Sequence, residues 1–199
     1  MHTVLFGGAF DPPTTAHHEL IEISLAAGAR DVWVLPTPSL HAYGKNTSLY
    51  HHRWLMIHLA FKEFGEKVHI VDTQPDALTY AWDTVNHLRH EHQDRKFVWA
   101  IGADHIDQLD KWYRGTELRE LIPFWIYQRP SHAPQPQQGW YLEPPHRCLV
   151  SAPNPLSSTF IRENIHDVEA IRSGLHPEVL AYIQEQNLFV SQNTTKILL

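Results

Sequence analysis

The stretch Thr3-Val4-Leu5-Phe6-Gly7-Gly8-Ala9-Phe10-Asp11-Pro12-Pro13-Thr14-Thr15-Ala16-His17-His18 decides how this chain is read. Four apolar or β-branched residues predict a short strand over Thr3–Phe6. Two glycines and two prolines end it. A helix-like pattern then begins at His17-His18-Glu19-Leu20. In doubly wound sheets, ligands sit at the carboxyl ends of the strands. Gly7-Gly8 stands at such an end. Without a Cβ, the backbone there can approach a ligand and take positive φ. The helix that follows offers unpaired N–H groups and the positive end of its dipole, which suits a phosphate. A histidine in its first turn can donate a hydrogen bond to that phosphate. The plainer alternative is a strand-to-helix turn with a solvated histidine pair.

The rest of the chain supports the α/β reading. Further apolar runs predict strands at Val32–Leu35, Val68–Val71, Phe97–Ile101, Phe124–Tyr127 and Cys148–Val150. They are continuous rather than alternating, as strands buried on both faces should be. Helical patterns lie between them near 18–28, 51–64, 80–91 and 116–121. In the second, Trp54, Ile57 or His58, and Phe61 fall at helical spacing and read as core. Alternation of this kind predicts a doubly wound parallel sheet with right-handed crossovers and helices on both faces. The Pro- and Gln-rich segment Ser131–Arg147 reads as a surface loop. Helical patterns resume at Ser158–Asn164 and Glu178–Gln186, a small C-terminal helical part. Residues 1–190 are expected to form a single domain, with 191–199 a frayed tail.

Composition excludes several classes. Sixteen Lys and Arg against 22 Asp and Glu give a formal net charge of −6. A general nucleic-acid or anionic-membrane binder would show a basic face instead. The single cysteine, Cys148, makes no internal disulfide and reads as a small core residue. No apolar run reaches transmembrane length and no signal-peptide pattern is evident, so a cytoplasmic location is expected. Sixteen histidines are scattered without Cys/His or H-E-x-x-H spacing, so no protein-held metal site is expected. His87, His90 and His92 read as a solvated face.

A second anion signal lies in Leu156-Ser157-Ser158-Thr159-Phe160-Ile161-Arg162. Small hydroxyl residues open a helix, and an arginine follows one turn in. Capping alone would explain Ser and Thr there. The alternative is a second helix start whose hydroxyls and guanidinium face phosphate. Two such sites in one α/β domain suggest a polyphosphate substrate gripped from two sides.

GGAFDPPTTAHH resembles the G-G-x-F-D-P-x-(H/T)-x-G-H opening of the nucleotidylyltransferase superfamily. LSSTFIR resembles its I-S-S-T-x-(I/V)-R signature. Thr79–Thr84, Ile101–Asp104, Leu109–Trp112 and the closing LHPEVLAYIQEQNLF are similar to the nicotinate/nicotinamide mononucleotide adenylyltransferase branch. The resemblance runs in order over residues 3–189. It departs at Ala16, where the motif has glycine, and at Thr14, a tolerated replacement for histidine. It departs again at Leu40-His41-Ala42-Tyr43-Gly44-Lys45, where the branch usually has Pro-His-Lys.

The resemblance implies a Rossmann-like nucleotidylyltransferase that joins ATP and a pyridine mononucleotide, releasing pyrophosphate, in NAD biosynthesis. Such transfer needs in-line positioning and charge stabilisation rather than an enzyme nucleophile. It implies that Gly7, Gly8, Ala9 and Phe10 form the turn that admits nucleotide. Thr14 and His17 bind ATP phosphates, His17 at the reacting phosphate. Lys45 neutralises phosphate, and Ser158, Thr159 and Arg162 hold the departing β- and γ-phosphates. Gly102 and Asp104 bind the ATP side, Asp104 through ribose hydroxyls. Trp112 stacks on the pyridine ring beside Thr79 and Tyr80. Mg²⁺ accompanies ATP, holding mostly water. A homo-oligomer is compatible with this reading. Two alternatives stand beside it: an adenylyl- or cytidylyltransferase for another phosphorylated acceptor, and a non-catalytic nucleotide-binding relative.

Overall fold

A computed structural model describes residues 1–38, 47–73, 80–128, 139–150 and 156–190. Six strands form one parallel sheet: β1 (Thr3–Gly8), β2 (Asp31–Pro36), β3 (Val68–Ile70), β4 (Phe97–Gly102), β5 (Phe124–Gln128) and β6 (Arg147–Val150). Their order is β3-β2-β1-β4-β5-β6. The chain winds outward from β1 to one edge, then returns to start the other half at β4. The switch point therefore lies between β1 and β4, and ligands of such sheets bind at that crevice.

Helices α1 (Thr15–Ala26), α2 (Tyr50–Phe61), α3 (Ala81–Glu91) and α4 (Gly115–Leu121) fill the crossovers. Helices α5 (Ser158–Glu163), α6 (Val168–Ile171) and α7 (Pro177–Glu185) complete the C-terminal part. Two-residue periodicity divides the strand side chains between two cores. Val4, Phe6, Val32, Val34, Val98 and Ala100 pack with Ile21, Ile57, Phe61, Val179 and Ile183 from α1, α2 and α7. Leu5, Trp33, Leu35, Trp99 and Ile101 pack with Val85, Leu88, Leu109 and Leu118 on the other face.

Several expectations change in detail. Only β1, β2, β4 and β5 are buried almost throughout; edge strands β3 and β6 are half exposed, because each has one neighbour. The helix expected to reach residue 64 ends at Phe61, and a 3-10 segment continues through Lys67 around Gly65, whose φ is +53°. Trp54 is only half-buried and stacks on Tyr50, while His58 is exposed; Met56, Ile57 and Phe61 carry the core stripe. A 3-10 helix, Ala103–Lys111, follows β4 where none was expected. The described end of the 131–147 loop is not all irregular, since Trp140–Leu142 forms a 3-10 turn with Tyr141 buried. Cys148 is half-buried and its thiol donates to the Tyr141 carbonyl (3.7 Å), an edge-strand position rather than full core. His87 and His90 are exposed, but His92 sets its ring against Trp33, 4.8 Å between centroids. The tail 191–199 lies outside the described residues.

Two polar links pin the sheet. Ser24 Oγ donates to the Leu20 carbonyl (2.7 Å), so the Tyr127 hydroxyl donates to Ser24 Oγ (2.7 Å), tying β5 to α1. Burial pushes the Tyr127 phenol up to about 12. At the amino end of the sheet, Asp31 accepts from Thr3 Oγ1 (2.6 Å) and Arg95 (2.7 Å). Burial alone would raise the Asp31 carboxyl. The bonds from Thr3 and Arg95 and the charges of Arg95 and His69 outweigh it and hold the carboxyl below its ordinary value.

A group depressed in this way adds stability above its unfolded pKa, about 3.9, and loses it as pH falls through the folded value. Asp31→Asn should therefore reduce stability at neutral pH and flatten the acid limb below about pH 4, read by urea unfolding across pH. An acid limb as steep as the wild type's would place the linkage on other carboxylates.

Candidate active site

The site is assembled where β1 meets α1. Gly7 and Gly8 end the strand, but neither has positive φ; the left-handed residue of the turn is Phe10, at φ +50°. The expectation of left-handed glycines is thus corrected. The glycines are needed for space. A Cβ on Gly7 would lie 2.9 Å from the Trp99 ring, and one on Gly8 would lie 3.2 Å from the Phe10 ring. Phe10 itself is core: its ring packs on Phe6 (5.2 Å) and Phe61 (6.2 Å), leaving only its backbone to a ligand.

Helix α1 begins at Thr15, with Thr14 as its N-cap and His17 at the third helical position. The Thr14 N–H donates to His17 Nδ1 (2.9 Å), and Thr14 Oγ1 lies 2.9 Å from the same nitrogen. A capping box usually places Glu or Gln at this position. With Nδ1 accepting, neutral His17 carries its proton on Nε2. The Phe6 and Phe10 rings, 5.8 and 5.1 Å away, fix the imidazole from one side. No acidic residue stands in the first turn of α1, so its amino end is uncompensated there. The second histidine turns elsewhere: His18 Nε2 is 2.5 Å from Glu63 and its ring leans at a tilt on Phe64.

The two phosphate motifs, some 150 residues apart in sequence, meet in space. Ser158 Oγ donates to the Pro12 carbonyl (2.8 Å), and Arg162 donates to the Asp11 carbonyl (2.6 Å). Arg162 also donates to Thr159 Oγ1 (3.3 Å). The Ser158 hydroxyl proton is therefore committed to the opening loop. The rest of the Arg162 fork is uncommitted among the described residues. The N-cap of α5 is Ser157, which accepts from Phe160 N–H (3.1 Å).

Arg53 lies on α2, outside the motifs above. Its side chain is wholly buried. The guanidinium donates to the carbonyls of Ala9 (2.9 Å), Thr37 (2.7 Å) and Ser48 (3.1 Å). One planar group thus joins the loop after β1, the loop after β2 and the entry to α2. Burial pushes Arg53 down from its ordinary value, opposed by the charge of Asp11. Asp11 is buried as well, and one carboxylate oxygen accepts from Ser48 N–H (3.1 Å). Tyr50 extends the network by donating to Asp72 (3.1 Å) and accepting from Thr73 N–H (3.2 Å). Thr73 in turn donates to the Pro36 carbonyl. A signal for Arg53 was present: it shares the apolar face of α2 with Ile57 and Phe61, where a charge has no place unless it is satisfied.

Across the crevice, Gly102 ends β4 and Asp104 opens the 3-10 helix, exposed and 3.6 Å from His105 Nε2. The Trp112 ring meets Trp99 edge-on at 6.2 Å, so Trp112 is one indole away from Gly7. Tyr80 caps α3 and faces Tyr113 at 4.9 Å. Thr79 and Lys45, and the whole 41–45 loop, lie outside the described residues.

The model of the cytidylyltransferase-like family matches residues 5–164. Nicotinate-nucleotide adenylyltransferase of Bacillus subtilis (strain 168) is 30% identical over 192 residues, covering 94% of this chain and 97% of that protein. Among solved structures, nicotinic acid mononucleotide adenylyltransferase of Plasmodium falciparum, complexed with NaAD, aligns with a TM-score of 0.79 at 22% identity. That alignment covers 94% of this chain and 97% of the other. The same protein complexed with APC gives 0.76 at 21%, covering 94% and 96%. At such identities the solved structures establish the fold alone. The chain belongs to the cytidylyltransferase-like family and, within it, to the nicotinate-nucleotide adenylyltransferases.

Removing Arg53 would leave three carbonyls and the Asp11 charge unpaired in the interior. Arg53→Ala should destabilise the protein by about 3–5 kcal/mol, the scale for breaking a buried ionic network, measured by chemical unfolding. A loss below about 1 kcal/mol, the scale of a solvated pair, would mean that the carbonyls find other donors.

Proposed function

We propose that this enzyme transfers the AMP part of ATP to nicotinate mononucleotide, in the cytoplasm, as a step of NAD biosynthesis. The 5′-phosphate oxygen of the mononucleotide attacks the α-phosphorus of ATP. The bond from that phosphorus to the β-bridging oxygen breaks, and pyrophosphate leaves. The observation that carries this reading is the docking of Ser158 and Arg162 on the Asp11–Pro12 carbonyls, which sets the second phosphate motif beside the capped start of α1. The names of the relatives support the choice of acceptor.

His17 donates from Nε2 to the reacting phosphate, its ring held by the Thr14 N–H at Nδ1. Thr14 acts mainly through this contact. Thr159 and the free part of the Arg162 fork hold the departing phosphates, and Lys45 adds a charge from the loop after β2. The turn Gly7–Phe10 offers its backbone to the nucleotide. Gly102 and Asp104 take the ATP ribose, and Trp112 with Thr79 and Tyr80 takes the pyridine ring. Among the described residues no three carboxylate, imidazole or thiol groups gather as a metal site. Mg²⁺ enters as part of the MgATP substrate, held by phosphates and water. Among the described residues no helix is long and apolar enough to cross a membrane.

Kinetics with nicotinate and nicotinamide mononucleotides side by side test the reading; pyrophosphate release with neither would overturn it. His17→Ala should lower kcat by about 10²–10³-fold, the scale for one donor at developing charge. A folded variant with normal kcat would remove the opening motif from the chemistry.

Arg162→Lys should raise the KM for ATP more than that for the mononucleotide, because lysine cannot present a planar fork to phosphate oxygens. An equal rise in both would place Arg162 away from the ATP phosphates.

A further inference from the structure

The chain reverses sharply between the 3-10 helix and α4. Trp112 N–H donates to the Leu109 carbonyl (3.0 Å) and Gly115 N–H to the Trp112 carbonyl (3.0 Å). A Cβ on Gly115 would run into the Leu109 carbonyl. The residue that makes the reversal is Arg114, with φ 54° and ψ 39°. This left-handed conformation costs free energy for any residue with a Cβ, and glycine or asparagine would take it more easily. An arginine in this conformation calls for a compensating use of its side chain.

The side chain has one. The Arg114 guanidinium lies 4.0 Å from the centre of the Trp82 ring, in the first turn of α3. Its Nε donates to Glu117 Oε1 (3.1 Å), which holds it to α4. Beside this contact, Tyr113 faces Tyr80. The next residue back is Trp112, whose ring rests on Trp99, and Trp99 covers Gly7. Five aromatic side chains and one cation thus join the start of α3, the 112–114 reversal and the crevice between β1 and β4.

Resting on the functional reading above, we propose that Arg114 is a positioning residue for the acceptor nucleotide. Its stack on Trp82 ties the 112–114 reversal to α3 and so fixes Trp112 and Tyr80 at the spacing the pyridine nucleotide requires. The contact lies on the acceptor side of the crevice, away from the Ser158–Arg162 motif, so it governs one substrate and not the other.

The test uses the full chain with MgATP and nicotinate mononucleotide. Arg114→Gly removes the side chain and relieves the backbone. Its thermal midpoint should stay equal or rise, while the KM for the mononucleotide rises about 3- to 10-fold and the KM for ATP is unmoved, the scale of a partly exposed cation–π contact. Arg114→Lys should recover most of the loss. Trp82→Leu, which keeps bulk without a ring face, should show the same selective rise, and the double variant should add little to either. Unmoved KM values in Arg114→Gly, an equal rise for both substrates, or additive effects would overturn the proposal. A wild-type enzyme that makes no dinucleotide from either pyridine mononucleotide removes the functional reading and this inference together. Turnover by the wild type with an unaltered KM ratio in the variants removes the inference alone.

Discussion

The guanidinium of Arg53 is the constraint on which the site depends. It sits without solvent contact at the carboxyl ends of β1 and β2 and donates to three main-chain carbonyls. A buried cation is costly unless its donors are satisfied and its charge is opposed. Here the carbonyls satisfy the donors and Asp11 supplies an opposing charge. The loops after β1 and β2 therefore cannot drift independently. The start of α1 is aimed by the first of these loops, and the described entry to α2 is tied to both.

From that fixed point the two sides of the crevice are placed by simple contacts. The C-terminal part reaches back to the opening loop through Ser158 and Arg162. Thr15 Oγ1 donates to the Ser173 carbonyl (3.2 Å), and Lys62 of the 3-10 segment after α2 pairs with Glu178 of α7. On the opposite face of the sheet, indoles do the same work by packing. Trp99 fills the space left by Gly7, and Trp112 leans on it. One side of the crevice is thus held by hydrogen bonds and the other by ring contacts.

Much of this was legible in the chain. Continuous apolar runs between helical patterns marked the six parallel strands, and most plainly β1, β2, β4 and β5, because a strand covered on both faces has no polar positions to alternate. The phosphate motifs were readable because their residues are neighbours in the chain: two glycines at the end of a strand, and a histidine in the first turn of the helix that follows. What was not legible depends on contacts distant in sequence. Phe10 rather than a glycine takes the left-handed position, because its ring is drawn into the core beside Phe61. The Ala103–Lys111 helix was missed because it is a 3-10 segment, whose apolar spacing does not follow the 3.6-residue repeat. Arg114 looks like an ordinary surface arginine until the fold shows it stacked on Trp82, whereas the place of Arg53 on the apolar face of α2 signals burial but not the three carbonyls it meets.

The imidazole at the third position of α1 caps the helix, and the proposed function gives the same ring the phosphate. This couples heat resistance to turnover in an awkward way for an engineer. A stability search that scores helix ends would exchange His17 for glutamate, the usual partner in that motif. The exchange would preserve the bond to the Thr14 amide and set a negative charge where an anion has to sit. On the proposed function, optimising the cap would thus disable the catalyst, and a hardier variant must leave that end of the helix alone.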